Sequence, residues 1–111
     1  MIVIKNSEDL KRLHKANGIV ADTLQELKKH AQAGITTAEL DRIAESFIRG
    51  RGGKPAFKGY RGFPGTLCIS INEEVVHGIP GKRKLKKSDI VSIDVGVLIG
   101  GFYGDAALTV G

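Results

Sequence analysis

The sequence contains no tryptophan, one cysteine and three prolines, and aromatic residues make up only 5% of it. A core with so few aromatic side chains has to be built mainly from aliphatic residues. The single cysteine, Cys68, cannot form an internal disulfide, so we expect a reducing, cytoplasmic setting and not a disulfide-stapled secreted fold. Hydrophobic residues (41%) and charged residues (26%) are balanced as in globular domains, which argues against intrinsic disorder.

Long apolar segments are also missing. The longest uncharged stretch of the C-terminal half, residues 95–104, contains four glycines. It falls well short of the ~20 residues that a membrane-spanning helix needs. The first five residues, MIVIK, lack a basic leader followed by a long apolar region, so no secretory signal is expected. The sequence therefore predicts no membrane association.

Positive charge is in excess, with a formal net charge of +5, and it is concentrated in two segments. Residues 49–61 carry five basic and no acidic side chains, and residues 82–87 carry five more basic side chains. Such runs are usually solvated turns and faces, and less often surfaces that dock anions. Few aromatic residues are interleaved with them, so we predict no dedicated nucleic-acid site.

Glycine divides the chain into two parts, since only Gly18 and Gly34 of its 15 glycines precede residue 50. The first part has the apolar periodicity of two helices, one capped by Ser7 and closed by Gly34 as the C′ residue, and one from Thr36 to Gly50. Thr36 and Glu39 have the spacing of a capping box. The second part predicts strands at 67–71, 90–97 and 103–110, with a further short strand near 56–57. We interpret residues 1–111 as a single α+β domain.

The last two predicted strands each carry an aspartate in an otherwise apolar sequence, Asp94 and Asp105. Strands disfavour aspartate, so its presence there calls for a reason. A hairpin pairing symmetrically about Ile99 and Gly100 would place Asp94 directly opposite Asp105. The same alternation puts Ser92, Asp94, Tyr103, Asp105 and Thr109 on one face, and the aliphatic residues on the other.

Two directly opposed carboxylates repel each other unless they share a proton or bind a cation. Oxygen ligands suit hard divalent ions, and pairs of such ions form hydrolytic centres. A divalent-metal site is therefore one interpretation of the aspartate pair. Two solvated aspartates near a turn are the other, and two carboxylates alone are too few to complete a dinuclear site.

A wider set of residues is similar to a known family. The segment NEEVVHGIP at residues 72–80 is followed by DIV at 89–91 and then by Asp94 and Asp105. It is preceded by FKGY at 57–60, FP at 63–64 and CISIN at 68–72. In this order the blocks resemble methionine aminopeptidase of the simple bacterial type. The resemblance extends over nearly the whole chain and matches the N-terminal half of that enzyme.

The resemblance implies half of the pita-bread fold: two helices packed on an antiparallel sheet, with a dinuclear metal site between two such halves. It implies that Asp94 chelates one divalent ion (Co, Mn, Fe or Zn) and that Asp105 bridges two. His77 would lie beside the metals as a catalytic residue that hydrogen-bonds the substrate. Without the family, a histidine next to Gly78 reads as a turn cap.

The resemblance also implies a pocket for the methionine side chain. Tyr60, Phe63 and Cys68 match positions that line this pocket in the family, and Phe57 matches a neighbouring position. Taken alone, these four side chains read as ordinary core residues. His14 and His30 match no site of the family, and we expect them at the surface or in an interface.

The family takes its remaining ligands, one histidine and two glutamates, from the second half of its domain. The expected function is therefore removal of N-terminal methionine from nascent proteins, in a chain that needs a complementary half. The alternative is a half-domain that self-associates as a homodimer and binds divalent metal with weak or no peptidase activity. A small basic domain that binds anions is a third interpretation.

Overall fold

The computed structural model describes residues 7–59, 65–72 and 79–110. Helix α1 spans Ser7–His30 and helix α2 spans Thr37–Gly50. The strands are β1 (Lys54–Pro55), β2 (Leu67–Ile71), β3 (Val91–Ile99) and β4 (Phe102–Val110). The predicted helices and long strands are therefore present, and the short strand expected at residues 56–57 lies two residues earlier, as β1.

The connection between the helices departs from the sequence prediction, because α1 ends at His30 and not at Gly34. Gly34 has a φ of 97° and lies in the turn that follows the helix. Its amide donates to the Leu85 carbonyl at 2.8 Å, and the Leu85 amide donates back to Ile35 at 2.8 Å. A helical backbone could not make this extended pairing, so the helix ends before it.

Helix α2 begins as predicted. The Thr36 hydroxyl accepts from the Glu39 amide at 3.1 Å, and the Glu39 carboxylate accepts from the Thr36 amide at 3.4 Å. These reciprocal bonds form the capping box and satisfy N–H groups that would otherwise lack partners at the start of the helix.

Strand β3 is the centre of an antiparallel four-stranded sheet. Strand β4 pairs with it from Val91 to Ile99. Strand β2 pairs with residues 91–95 and β1 with residues 97–98. Because a strand has only two edges, β2 and β1 share the edge of β3 that β4 leaves free.

Both helices pack on one face of this sheet and bury its aliphatic side chains. The aliphatic residues buried from the sheet are Leu67, Ile69, Ile71, Val91, Ile93, Val95 and Val97, and Phe102 of β4 is buried as well. The helices bury Ala16, Ile19, Val20, Leu24, Leu27, Leu40, Ala44 and Ile48. We call this side the helix face and the opposite side of β2, β3 and β4 the open face. The mainly aliphatic core is the one that the shortage of aromatic residues predicts.

The basic segment 82–87 is fixed to the turn between the helices. Thr37 donates its amide to the Arg83 carbonyl at 3.0 Å, and Leu85 is buried while the five basic residues remain exposed. The segment is therefore a solvated turn held by one apolar side chain, as its charge pattern indicates. Neither α1 nor α2, the helices within the described ranges, has the length and apolar character to cross a bilayer.

Candidate metal-binding site

The hairpin of β3 and β4 positions the two candidate metal ligands. Gly100 and Gly101, with φ of 56° and 81°, form its two-residue turn. Positive φ at both central positions matches the right-handed twist of the strands and favours glycine. Ile99 therefore pairs with Phe102, and the register follows from that pair.

The predicted register is wrong by two residues, although the predicted faces are correct. Asp94 pairs with Ala107, and Asp105 pairs with Gly96, so the aspartates are diagonal neighbours and not directly opposed. The turn is centred between Gly100 and Gly101 instead of between Ile99 and Gly100, which accounts for the shift. Diagonal positions lie about 7–8 Å apart across a sheet, a separation that reduces the repulsion between carboxylates.

The cross-strand partner of each aspartate has almost no side chain. Asp94 faces the methyl group of Ala107, and Asp105 faces Gly96, which has no Cβ. Both aspartates are exposed on the open face. The space above the sheet between the carboxylates is therefore not filled by their direct partners.

The donor chemistry of these two residues fits a hard divalent ion. Within the described ranges, neither carboxylate takes part in a hydrogen bond or an ion pair. Their four oxygen atoms are thus available as ligands of the type such ions prefer. Among the described residues no group of three or more His, Cys, Asp and Glu side chains is arranged to hold a metal ion. The described residues of the open face therefore offer two carboxylates but not a complete set of ligands for a metal ion.

Cys68 lies beside Asp94 on the other edge of β3, since the two residues are register partners. Its side chain is half-buried on the open face, as the alternation of β2 predicts. Burial raises the pKa of the Cys68 thiol, and the negative charge of Asp94 raises it further. The neutral thiol is therefore favoured, which suits contact with an apolar group better than metal ligation.

Phe57 reaches the same region from the loop that follows β1. The Ala56 amide donates to the Gly96 carbonyl at 2.9 Å, which holds this loop against β3. A Cβ on Gly96 would lie 2.9 Å from ring carbon Cε1 of Phe57 and 3.1 Å from the Tyr103 hydroxyl. Any side chain at position 96 would therefore displace the groups that cover it.

Tyr103 also lies in this region, on the face that the strand alternation predicts, although the sequence indicated no role for it. It is 37% exposed, and burial followed by the charge of Asp105 raises the pKa of its phenol. The sequence feature that could have indicated a role for Tyr103 is Gly96, the glycine inside β3. A glycine inside a strand often marks the close approach of another group, and here that group includes the Tyr103 hydroxyl.

On the helix side of the sheet, two acidic residues of α2 bind Lys58 and the residues at the start of β2. Asp41 Oδ1 accepts from the backbone amides of Thr66 and Leu67 at 2.8 and 2.7 Å. Glu45 Oε1 accepts from Lys58 Nζ at 2.6 Å and from the Thr66 hydroxyl at 3.3 Å. These bonds fix residues 58 and 66 relative to α2, and with them the start of β2.

Three of the predicted site residues, Tyr60, Phe63 and His77, lie outside the described residues. The other four lie near one another around Gly96 on the open face: Phe57, Cys68, Asp94 and Asp105. His14 and His30 lie on α1 and are exposed, and His30 Nε2 is 3.7 Å from Glu26 on the same helix.

The sequence is similar to curated methionine aminopeptidases. It is 54% identical over 109 residues to methionine aminopeptidase 1 of Bacillus subtilis, a match that covers 98% of this chain and 44% of that protein. It is 53% identical over 111 residues to the methionine aminopeptidase of Clostridium perfringens, of which it covers 45%. The chain thus spans less than half the length of the curated relatives it matches.

Solved structures extend the similarity to the fold. The methionine aminopeptidase of Rickettsia prowazekii superposes with a TM-score of 0.90 at 38% identity, over 98% of this chain and 44% of that one. The prolidase of Pyrococcus furiosus, at 22% identity and a TM-score of 0.82, shares the fold alone. These relatives confirm the predicted half of a pita-bread fold, with two helices packed on an antiparallel sheet. Residues 11–111 match the model of metallopeptidase family M24, and the chain belongs to that family.

Proposed function

We propose that this chain is the N-terminal half of a metal-dependent methionine aminopeptidase and that residues 1–111 fold as a single domain. The observation that carries the proposal is the pair Asp94 and Asp105, exposed on one face of a hairpin with small residues opposite them. The similarity to methionine aminopeptidases over 98% of the chain supports the same activity. The substrate would be the N-terminus of a peptide or nascent protein.

Asp94 and Asp105 would hold two divalent ions together with ligands contributed by a second half. Divalent ions in such a centre supply Lewis acidity and an activated water for amide hydrolysis. Co, Mn, Fe and Zn are the candidate metals. Cys68 and Phe57, with Tyr60 and Phe63, would form the wall that receives the methionine side chain, and His77 would hydrogen-bond the substrate. A reducing cytoplasm suits this arrangement, because the neutral Cys68 thiol would stay unoxidised.

The complementary half is the expected partner on the open face. This face carries the two carboxylates and two exposed large side chains, Leu98 and Tyr103, which are register partners. A second copy of the chain is the alternative occupant, in a homodimer that would bring two aspartate pairs together and bind metal with weak or no peptidase activity. Sedimentation of the isolated chain separates the two, since only the homodimer forms without another polypeptide.

Complementation tests the activity directly. The chain would be mixed with the portion of the Bacillus subtilis enzyme that it does not match, and hydrolysis of a Met-Ala-Ser peptide measured with and without Mn²⁺. We expect release of methionine from the mixture with metal, and little or none from either part alone. Asp94→Asn and Asp105→Asn should each abolish it.

The matched control is Asp22→Asn, which removes an exposed carboxylate on α1 that pairs with Arg51 at 2.7 Å. This substitution should leave hydrolysis unchanged. A mixture that associates and binds Mn²⁺ but leaves the peptide intact would overturn the proposal. Hydrolysis that survives the substitutions at Asp94 and Asp105 would overturn it as well.

A further inference from the structure

We infer that Tyr103 is a further residue of the cation-binding face, with its phenolic oxygen contributing a third oxygen group beside Asp94 and Asp105. The inference rests on the proposed metal centre and adds a residue to it. It starts from the position of Tyr103, which pairs with Leu98 and lies two residues before Asp105 on the same face of β4.

The position of the hydroxyl is set by Gly96. The phenolic oxygen lies 3.1 Å from where a Cβ on Gly96 would be. Gly96 in turn faces Asp105 across the hairpin and lies two residues after Asp94 on the same face. The Tyr103 hydroxyl is therefore above Gly96, which with Ala107 is one of the two residues that adjoin both aspartates on this face.

The chemistry of the phenol allows contact with a cation. Carbon atoms border it on the β1 side, because Phe57 Cε1 and Ala56 Cβ also lie within 3.2 Å of the same point above Gly96. Tyr103 and Asp105 are neighbours on the same face of β4, two residues apart. A phenol can donate a hydrogen bond or offer a lone pair, so it can bind a cation directly or through a water held by that cation.

Terbium luminescence tests the proximity, because the chain has two tyrosines and no tryptophan to act as energy donors. Tb³⁺ is a hard ion that takes oxygen ligands, and it emits strongly when a nearby tyrosine is excited. In Tyr60→Phe the remaining donor is Tyr103, and we expect sensitised emission to persist. In Tyr103→Phe we expect it to decrease to the contribution of Tyr60 alone.

Calorimetry with Mn²⁺ tests the contribution to binding. Removing the hydroxyl in Tyr103→Phe should weaken Mn²⁺ binding about three- to tenfold, as expected for the loss of one hydrogen bond or weak ligand. Gly96→Ala retains the hydroxyl but displaces it, and should weaken binding in the same direction. Thr109→Val is the matched control, since it removes a hydroxyl from the same face at a residue paired with Ser92. It should leave the affinity unchanged.

The outcomes separate this inference from the proposed function. If the double variant Asp94→Asn, Asp105→Asn abolishes Mn²⁺ binding but Tyr103→Phe has wild-type affinity, the role of Tyr103 is wrong and the metal centre stands. If the double variant still binds Mn²⁺ with wild-type affinity, the proposed centre itself fails. Equal weakening by Tyr103→Phe and Thr109→Val would also overturn the specific role of Tyr103.

Discussion

Two pairs of carboxylates lie on opposite sides of the same sheet, and their surroundings differ completely. On the helix side, Asp41 and Glu45 accept hydrogen bonds from backbone amides, a hydroxyl and two basic side chains. On the open face, Asp94 and Asp105 have no hydrogen-bond or ion-pair partner among the described residues. The first pair is already used to hold Lys58 and the start of β2, and no described residue occupies the oxygen atoms of the second pair.

The hydrogen-bond partners of a carboxylate indicate whether it stabilises the fold or can bind a ligand. A partly buried carboxylate such as Asp41 is stable only if hydrogen bonds replace its lost hydration. An exposed carboxylate needs no such partner, so Asp94 and Asp105 cost little in the folded chain. Removing Asp41 and Glu45 should therefore reduce the stability of the fold. Removing Asp94 and Asp105 should instead reduce metal binding.

The largest expected effect is a difference in unfolding free energy between substitutions on the two faces of β3. Ile93 is fully buried on the helix face, so Ile93→Ala should reduce the free energy of unfolding by about 2–5 kcal/mol, through lost burial and a residual cavity. Leu98 is 40% exposed on the open face, and Leu98→Ala should cost less than about 1 kcal/mol. Urea denaturation followed by circular dichroism measures both. Similar losses at the two positions would contradict the assignment of faces.

The second largest expected effect is a difference in unfolding free energy between substitutions at Asp41 and at Asp94. Asp41→Ala leaves the amides of Thr66 and Leu67 without their acceptor, and should destabilise the chain by about 1–3 kcal/mol. Asp94→Ala removes an exposed side chain and should change the unfolding free energy by no more than about 0.5 kcal/mol. The same unfolding experiment applies. A larger loss for Asp94→Ala than for Asp41→Ala would reverse the roles we assign.

The smallest expected effect is a pH dependence. Hydrogen bonds from Lys58 and then Arg49 hold the pKa of Glu45 below its ordinary value of 4.5. The stability that ionised Glu45 contributes is therefore fully present above about pH 4.5 and is lost as the pH falls through its lower folded-state pKa. Its size is less than about 1 kcal/mol for an ion pair at the surface.

This dependence can be isolated by comparing unfolding free energies of the wild type and Glu45→Gln between pH 3 and pH 7. The advantage of the wild type should be greatest at neutral pH and should shrink in acid. Lys58→Met removes the leading cause of the shift and should also reduce this acid loss. An advantage that grows as the pH falls would contradict the ion pairs of Glu45.

Much of this architecture could be predicted from the sequence because it follows from local rules. The capping box of Thr36 and Glu39 and the alternation along β3 depend on residues close in the chain. The shared face of Asp94 and Asp105 follows from the same alternation, and the family resemblance supplied the likeness to half of a pita-bread fold.

The remaining features depend on choices that local patterns do not decide. Two adjacent glycines allow more than one centre for the turn, and the choice between them moved the register by two residues. The position of Phe57 above Gly96 comes from a tertiary contact between residues 39 apart in the chain, and the position of Tyr103 depends on the hairpin register. The end of α1 depends on the pairing of Gly34 and Ile35 with Leu85, about 50 residues further along the chain.

Because the glycine turn fixes the register of the hairpin, the number of residues between the turn and each aspartate determines where its carboxylate lies. Each strand alternates between faces, so inserting one residue between the turn and either aspartate would direct that carboxylate into the aliphatic side of the sheet. Inserting two before the turn would keep Asp94 on the open face but move it two residues further from Asp105 in register. Inserting two after the turn would instead bring Asp105 directly opposite Asp94. The interval of eleven residues from Asp94 to Asp105 should therefore tolerate exchanges of exposed side chains, such as Leu98, far better than any insertion or deletion.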